Sequence, residues 1–194
     1  MVGTHDNTTM RNNDDKVIGR LRILGWSLVA ILLLLPAIAM QFTDDVDWTP
    51  GDFLAAAIML IGSGLICELI VRRSRNNTYR FGAVLALGAA FLLTWSNAAV
   101  GFIGSGANAA NVLYFLMPLI GFLAGIAVRF RAQGMYTTMV SLAIMQGLIT
   151  VLAFAIGLVQ DDEIFAILGI NAFFIVLWAG SAMLFRQAAE SEQA

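Results

Sequence analysis

The chain has 194 residues, of which 59% are hydrophobic and 12% charged, with a mean hydropathy of +0.81. A soluble domain carries about 25% charged residues, so a large water-facing domain is excluded. The formal net charge of −2 says nothing about partners, because the sign of the charge depends on position along the chain.

Residues 1–20 (MVGTHDNTTMRNNDDKVIGR) are polar and lack apolar periodicity, which predicts a disordered cytoplasmic tail. Six apolar stretches follow, at 22–42, 52–71, 81–104, 111–129, 136–159 and 164–186. Each supplies about the ~20 residues that an α-helix needs to cross ~30 Å of hydrocarbon. They are continuously apolar, whereas the strands of a membrane barrel alternate. Lipid offers exposed backbone groups no partner, so helices are required. The expected fold is therefore all-α: an integral membrane bundle of six transmembrane helices over 21–187, with a short cytoplasmic tail at 188–194.

The first stretch has a competing reading. A basic flank, the run ILGWSLVAILLLL, then Pro36 and Ala37-Ile38-Ala39 look like a secretory signal. The apolar run continues through Phe42, and the leading tail is long for a signal. Retention is expected, and cleavage would leave five spans with the same orientation.

The loop after it holds Asp44, Asp45, Asp47 and Asp52, hard oxygen ligands without the full spacing of a calcium loop. A solvated loop is expected, with no metal. In the second stretch stands Glu68, the one ionisable residue placed within a span, and such residues are functional candidates. It precedes Arg72 by one helical turn in the favoured acid-then-base order. A carboxylate paired with Arg72, or snorkelling to cytoplasmic water, is preferred to a proton or cation site.

The third stretch carries Asn97, with Thr94 and Ser96 nearby, and small residues at Gly82, Ala86 and Ala90. The fourth holds Gly121 and Gly125, a GxxxG spacing that permits close helix packing within the chain or at a dimer face. The fifth and sixth contain Gln146 and Asn171. Buried amides usually bond across helices, and that reading is taken for Asn97, Gln146 and Asn171. The sharper alternative is a polar vestibule open to the outside. LIGSGLICELIVRRSR at 60–75 loosely echoes LIGFLAGIAVRFR at 119–131, as an internal repeat would, although apolar low complexity gives such echoes too.

Orientation follows from the basic residues. Arg11, Lys16, Arg20, Arg22, Arg72, Arg73, Arg75, Arg80, Arg129, Arg131 and Arg186 are all eleven in the chain, and six spans put every one on the same side. The other side receives Asp44, Asp45, Asp47, Asp52, Asp161, Asp162 and Glu163. Both termini are then cytoplasmic. Trp48, Tyr79, Tyr114 and Tyr136 fall at span ends, where amphipathic rings prefer to sit. Trp26, Trp95 and Trp178 lie deeper, as packing residues.

Several chemistries are missing their residues. Gly62-Ser63-Gly64 and Gly104-Ser105-Gly106 suggest serine nucleophiles, yet the one histidine, His5, lies in the tail. Lys16 also lies there, so no span offers a Schiff-base lysine. Cys67 is the single cysteine, which excludes an intrachain disulfide. No phosphate loop or dinucleotide fingerprint is present. No catalytic residue, cofactor or nucleic-acid partner is expected. The partners expected are the lipid bilayer and, in an oligomer, a second copy or another membrane protein.

QFTDDVDWTPGDF at 41–53, ELIVRR at 68–73 and WSNAAVGFIG at 95–104 resemble an uncharacterised family of small multi-pass inner-membrane proteins of Gram-negative bacteria. The resemblance implies an inner-membrane location and no activity. Its members carry acidic residues in the outer loop after the third span, where this chain has SGANAAN. The function expected is a non-enzymatic structural or accessory one, and the alternative is a small transporter or channel for an ion or small solute.

Overall fold

The computed structural model describes residues 4–43, 46–74, 76–104, 108–160 and 162–193. Asp44, Asp45, Arg75, Ser105, Gly106 and Asp161 lie outside them, as do the side chains of His5, Arg11, Lys16, Arg20, Arg22 and Arg73. Among the described residues every regular element is helical: α1 (Thr4–Ala39), α2 (Pro50–Arg73), α3 (Asn77–Val100), a 3-10 turn (Ala109–Asn111), α4 (Val112–Ala127), α5 (Ala132–Ala155) and α6 (Ile164–Gln193). Five helical stretches are long and apolar enough to cross a membrane: Pro50–Ile70, Asn77–Val100, Ala109–Ala127, Ala132–Ala155 and Ile164–Glu192. The apolar part of α1, Ile23–Ala39, is shorter and covers about 26 Å at 1.5 Å per residue. The chain is an all-helical membrane protein.

The helix boundaries differ from the sequence expectation in instructive ways. The segment read as a disordered tail is helical from Thr4 and continuous with the first apolar stretch. Nucleating a helix is costly but extending one is not, so polar residues can continue a helix that the apolar run has begun. The segment 188–194 is likewise no separate tail. Helix α6 runs through Gln193, and Ala188 and Ala189 are buried in a cluster with Ala132.

The third helix begins earlier than expected, because the Asn76 side chain caps it by accepting from the Tyr79 N–H at 3.1 Å. It ends earlier too. Gly101 takes φ +69 and donates its N–H to the Asn97 carbonyl, closing α3 four residues before the apolar run ends. Phe102 and Ile103, read as the end of a span, are instead buried loop residues.

The chain divides into two compact units, Met1–Leu69 and Ile70–Ala194, with the division inside α2. In the first, the Trp26 indole of α1 lies over Gly64 of α2, where a Cβ would come within 3.4 Å of the ring.

In the second unit α6 packs most extensively on α5 and α3, and α4 lies against α3 and α5. The buried positions of α5 include Ala132, Met135, Met139, Leu142, Gln146, Ile149 and Ala153, three and four residues apart, with Thr138 and Thr150 beside them. On α6 they are Ile167, Asn171, Phe174, Trp178, Ala182, Phe185 and Ala189. Steps of three and four residues keep these side chains on one face of each helix, and the two faces meet in the α5–α6 contact. Contact between α3 and α6 is close at Gly82, whose carbonyl accepts from Ser181 Oγ at 2.8 Å.

Two long-range bonds bring one end of this unit together. Asn76 Nδ2 donates to Ser191 Oγ at 2.9 Å, and Tyr79 Oη donates to the Phe130 carbonyl at 2.6 Å. Arg80, Arg129, Arg131 and Arg186 therefore share that end of the four-helix unit, while Asp162 and Glu163 precede α6 at the other.

Candidate buried amide site

Asn97, Gln146 and Asn171 all lie inside the second unit, with exposures of 2%, 0% and 1%. Gln146 and Asn171 meet directly. Gln146 Nε2 of α5 donates to Asn171 Oδ1 of α6 at 2.7 Å. The same oxygen accepts from Tyr114 Oη of α4 at 3.2 Å. Asn171 Nδ2 turns back to the Ile167 carbonyl at 2.9 Å, and Thr150 Oγ1 to the Gln146 carbonyl at 2.8 Å. One amide oxygen thus ties three helices. Each interhelical bond of this kind contributes about 0.6–2 kcal/mol.

Asn97 belongs to a second layer. Its Nδ2 donates to the Asn111 carbonyl at 2.9 Å. The Asn111 side chain holds the buried loop after α3. Its Oδ1 accepts from the Phe102 and Ile103 N–H groups at 3.0 and 2.9 Å, and its Nδ2 donates to the Ile103 carbonyl at 3.2 Å. A strand of irregular backbone at the edge of a membrane domain needs such a substitute for helical bonds, and Asn111 supplies it.

Two acceptors in these layers, Asn97 Oδ1 and Gln146 Oε1, are buried without a hydrogen-bond partner, as is the donor Trp178 Nε1. Tied across three helices, the cluster is suited to holding those helices together or to holding a polar solute.

Glu68 lies in the first unit. It accepts from Trp26 Nε1 at 3.4 Å, a contact between α1 and α2 at the turn where Gly64 receives the indole. Gly121 and Gly125 face neighbours within the chain. A Cβ at Gly121 would lie 2.8 Å from Leu142 Cδ1 of α5, and one at Gly125 would lie 2.7 Å from Phe130 Cε1. Among the described residues, no three His, Cys, Asp or Glu side chains come together.

Asn111 and Thr150 carry no mark in the sequence analysis, and Tyr114 carries a different one. Tyr114 was placed among the interfacial aromatics and is instead fully buried. Its position two residues into α4 resembles an interface position, and only the fold of the preceding loop over it shows otherwise. A signal for Asn111 did exist. SGANAAN holds two asparagines just before an apolar run, where asparagine favours helix caps, and Asn108 does cap the 3-10 turn through the Ala110 N–H.

Comparison with protein-family models, curated proteins and solved structures finds no match to this chain.

Proposed function

We propose that this chain is a non-enzymatic multi-pass protein of the inner membrane with a structural or accessory role. The observation that carries the reading is the state of Gln146 and Asn171. The two amides best suited to line a polar path are spent on each other, fully buried, between α5 and α6. The segregated basic residues support cytoplasmic termini and retention of α1 as the first of six spans, and the family resemblance supports the inner membrane. The orphaned acceptors Asn97 Oδ1 and Gln146 Oε1 favour the second reading, a small transporter or channel.

One labelling series separates the two. In a Cys67→Ser background, single cysteines are placed in turn and tested with membrane-impermeant thiol reagents on intact cells and inverted vesicles. Cysteines at Asn76 and Gln133 are expected to react only from the cytoplasmic side, and those at Thr43 and Gln160 only from outside. Cysteines at Asn97, Gln146 and Asn171 are expected to react from neither. Labelling at all three buried sites from one side would establish a water-filled path and make transport the leading reading. Cross-linking in native membranes followed by mass spectrometry then identifies the partners that an accessory role requires.

A further inference from the structure

We propose that the α4–α5 turn binds the phosphate of an anionic phospholipid. A groove of about 340 Å³ opens there, lined by Ala127, Val128, Arg129, Arg131, Gln133 and Gly134. The other arginines at this end are engaged. Arg80 Nε donates to the Ser74 carbonyl at 2.8 Å, and Arg186 Nε pairs with Glu190 at 2.9 Å. Arg129 and Arg131 make no ion pair or hydrogen bond through their guanidiniums among the described residues. Two guanidiniums on one groove offer the forked donors that phosphate oxygens accept in pairs.

The backbone carrying them is pinned. Arg129 and Phe130 both take left-handed conformations, with φ of +55 and +52, which non-glycine residues rarely adopt. The Arg129 N–H donates to the Ile126 carbonyl and the Phe130 N–H to the Gly125 carbonyl, closing α4. The Phe130 ring lies on Gly125, and the Phe130 carbonyl takes the Tyr79 hydroxyl. The backbone therefore needs little further ordering when a ligand arrives, and only the two arginine side chains remain to be fixed.

The surroundings choose the kind of phosphate. Phe122, Leu123 and Ile126 of α4 are exposed, and the Phe122 ring lies 6.3 Å from that of Phe130. Leu123 stands one helical turn before Ala127, which lines the groove, so apolar surface of α4 continues from it. A free anion meets only the arginines, whereas a phospholipid places its phosphate on them and its acyl chains along α4. Phosphatidylcholine brings its own cation and gains less from two arginines than phosphatidylglycerol does.

The test uses the purified full-length chain in neutral detergent, independent of the sidedness and role proposed above. Thermal unfolding and native mass spectrometry are followed against phosphatidylglycerol, phosphatidylcholine of the same chains, and inorganic phosphate. Phosphatidylglycerol is expected to raise the midpoint and to be retained, and the other two are not. Arg129→Gln/Arg131→Gln is expected to weaken phosphatidylglycerol retention about thirtyfold, while Arg186→Gln leaves it unchanged. If the double variant does not fold, Arg131→Gln carries the test alone, since Arg131 has ordinary extended backbone (φ −71, ψ 143). About a fivefold loss is then expected. Wild-type retention by the folded double variant, or by the single variant used in its place, overturns the site. A midpoint shift reproduced by inorganic phosphate overturns the lipid and leaves a free-anion site.

Discussion

Replacing Asn111 with alanine is expected to destabilise the four-helix unit by about 3 kcal/mol, because each buried group left unsatisfied costs about 1–3 kcal/mol. Three groups lose their partner at once: the Phe102 and Ile103 N–H groups and the Ile103 carbonyl. These belong to loop backbone and have no helical bond to fall back on. Asn97→Ala removes only the one donation to the Asn111 carbonyl and also abolishes an orphaned acceptor, so its cost should stay near 1 kcal/mol. Unfolding of the two variants in detergent, by heat or by graded dodecyl sulfate, reads the difference. Equal losses would mean that the loop is held by its apolar side chains and not by the Asn111 amide.

The second large effect is expected at Gly134, which the sequence did not mark. A Cβ there would lie 2.4 Å from Val128 Cβ and 2.7 Å from Val128 Cγ2. Because Val128 Cβ is fixed to the backbone, Gly134→Ala forces the α4–α5 turn itself to move, at a cost of about 2–3 kcal/mol. Gly121→Ala meets the far end of Leu142, which can turn aside, so about 1 kcal/mol or less is expected. The same unfolding assay ranks them. A Gly121 variant as damaged as the Gly134 variant would contradict the geometry and place the strain along the helix contact.

Gly134 also shows where the sequence stops being readable. The GxxxG of Gly121 and Gly125 advertises itself by spacing, whereas Gly134 is a lone glycine whose partner lies across a turn of unusual shape. That turn depends on left-handed Arg129 and Phe130, neither of which signals such a conformation in sequence. Helical class was legible because spans of about 20 apolar residues have no other way to satisfy their backbone in lipid. Which face of each helix points inward was much harder. In water the buried face is the apolar one, but here lipid-facing residues such as Leu148 and Val151 are as apolar as core residues such as Leu142 and Ile149. The amides broke that symmetry. Gln146 and Asn171, the polar residues least suited to lipid, marked the inner seams of α5 and α6, and the residues at three- and four-residue steps from them are the core. Tyr114 gave no such help, since a tyrosine near a helix end suits the interface equally well.

The central position of α6 has a consequence for biosynthesis. The helix that α3 and α5 both pack against leaves the ribosome after both of them. Until it arrives, Gln146 lacks Asn171, the Gly82 carbonyl lacks Ser181, and the seam of α5 faces lipid or a wrong neighbour. Earlier helices therefore wait in the membrane as a loose set, and closure comes only when residues 164–193 insert. A chain cut short by a stop codon before Ile164 would lose far more than α6 itself, and quality-control proteases would meet an open set of spans in place of a slightly shortened protein.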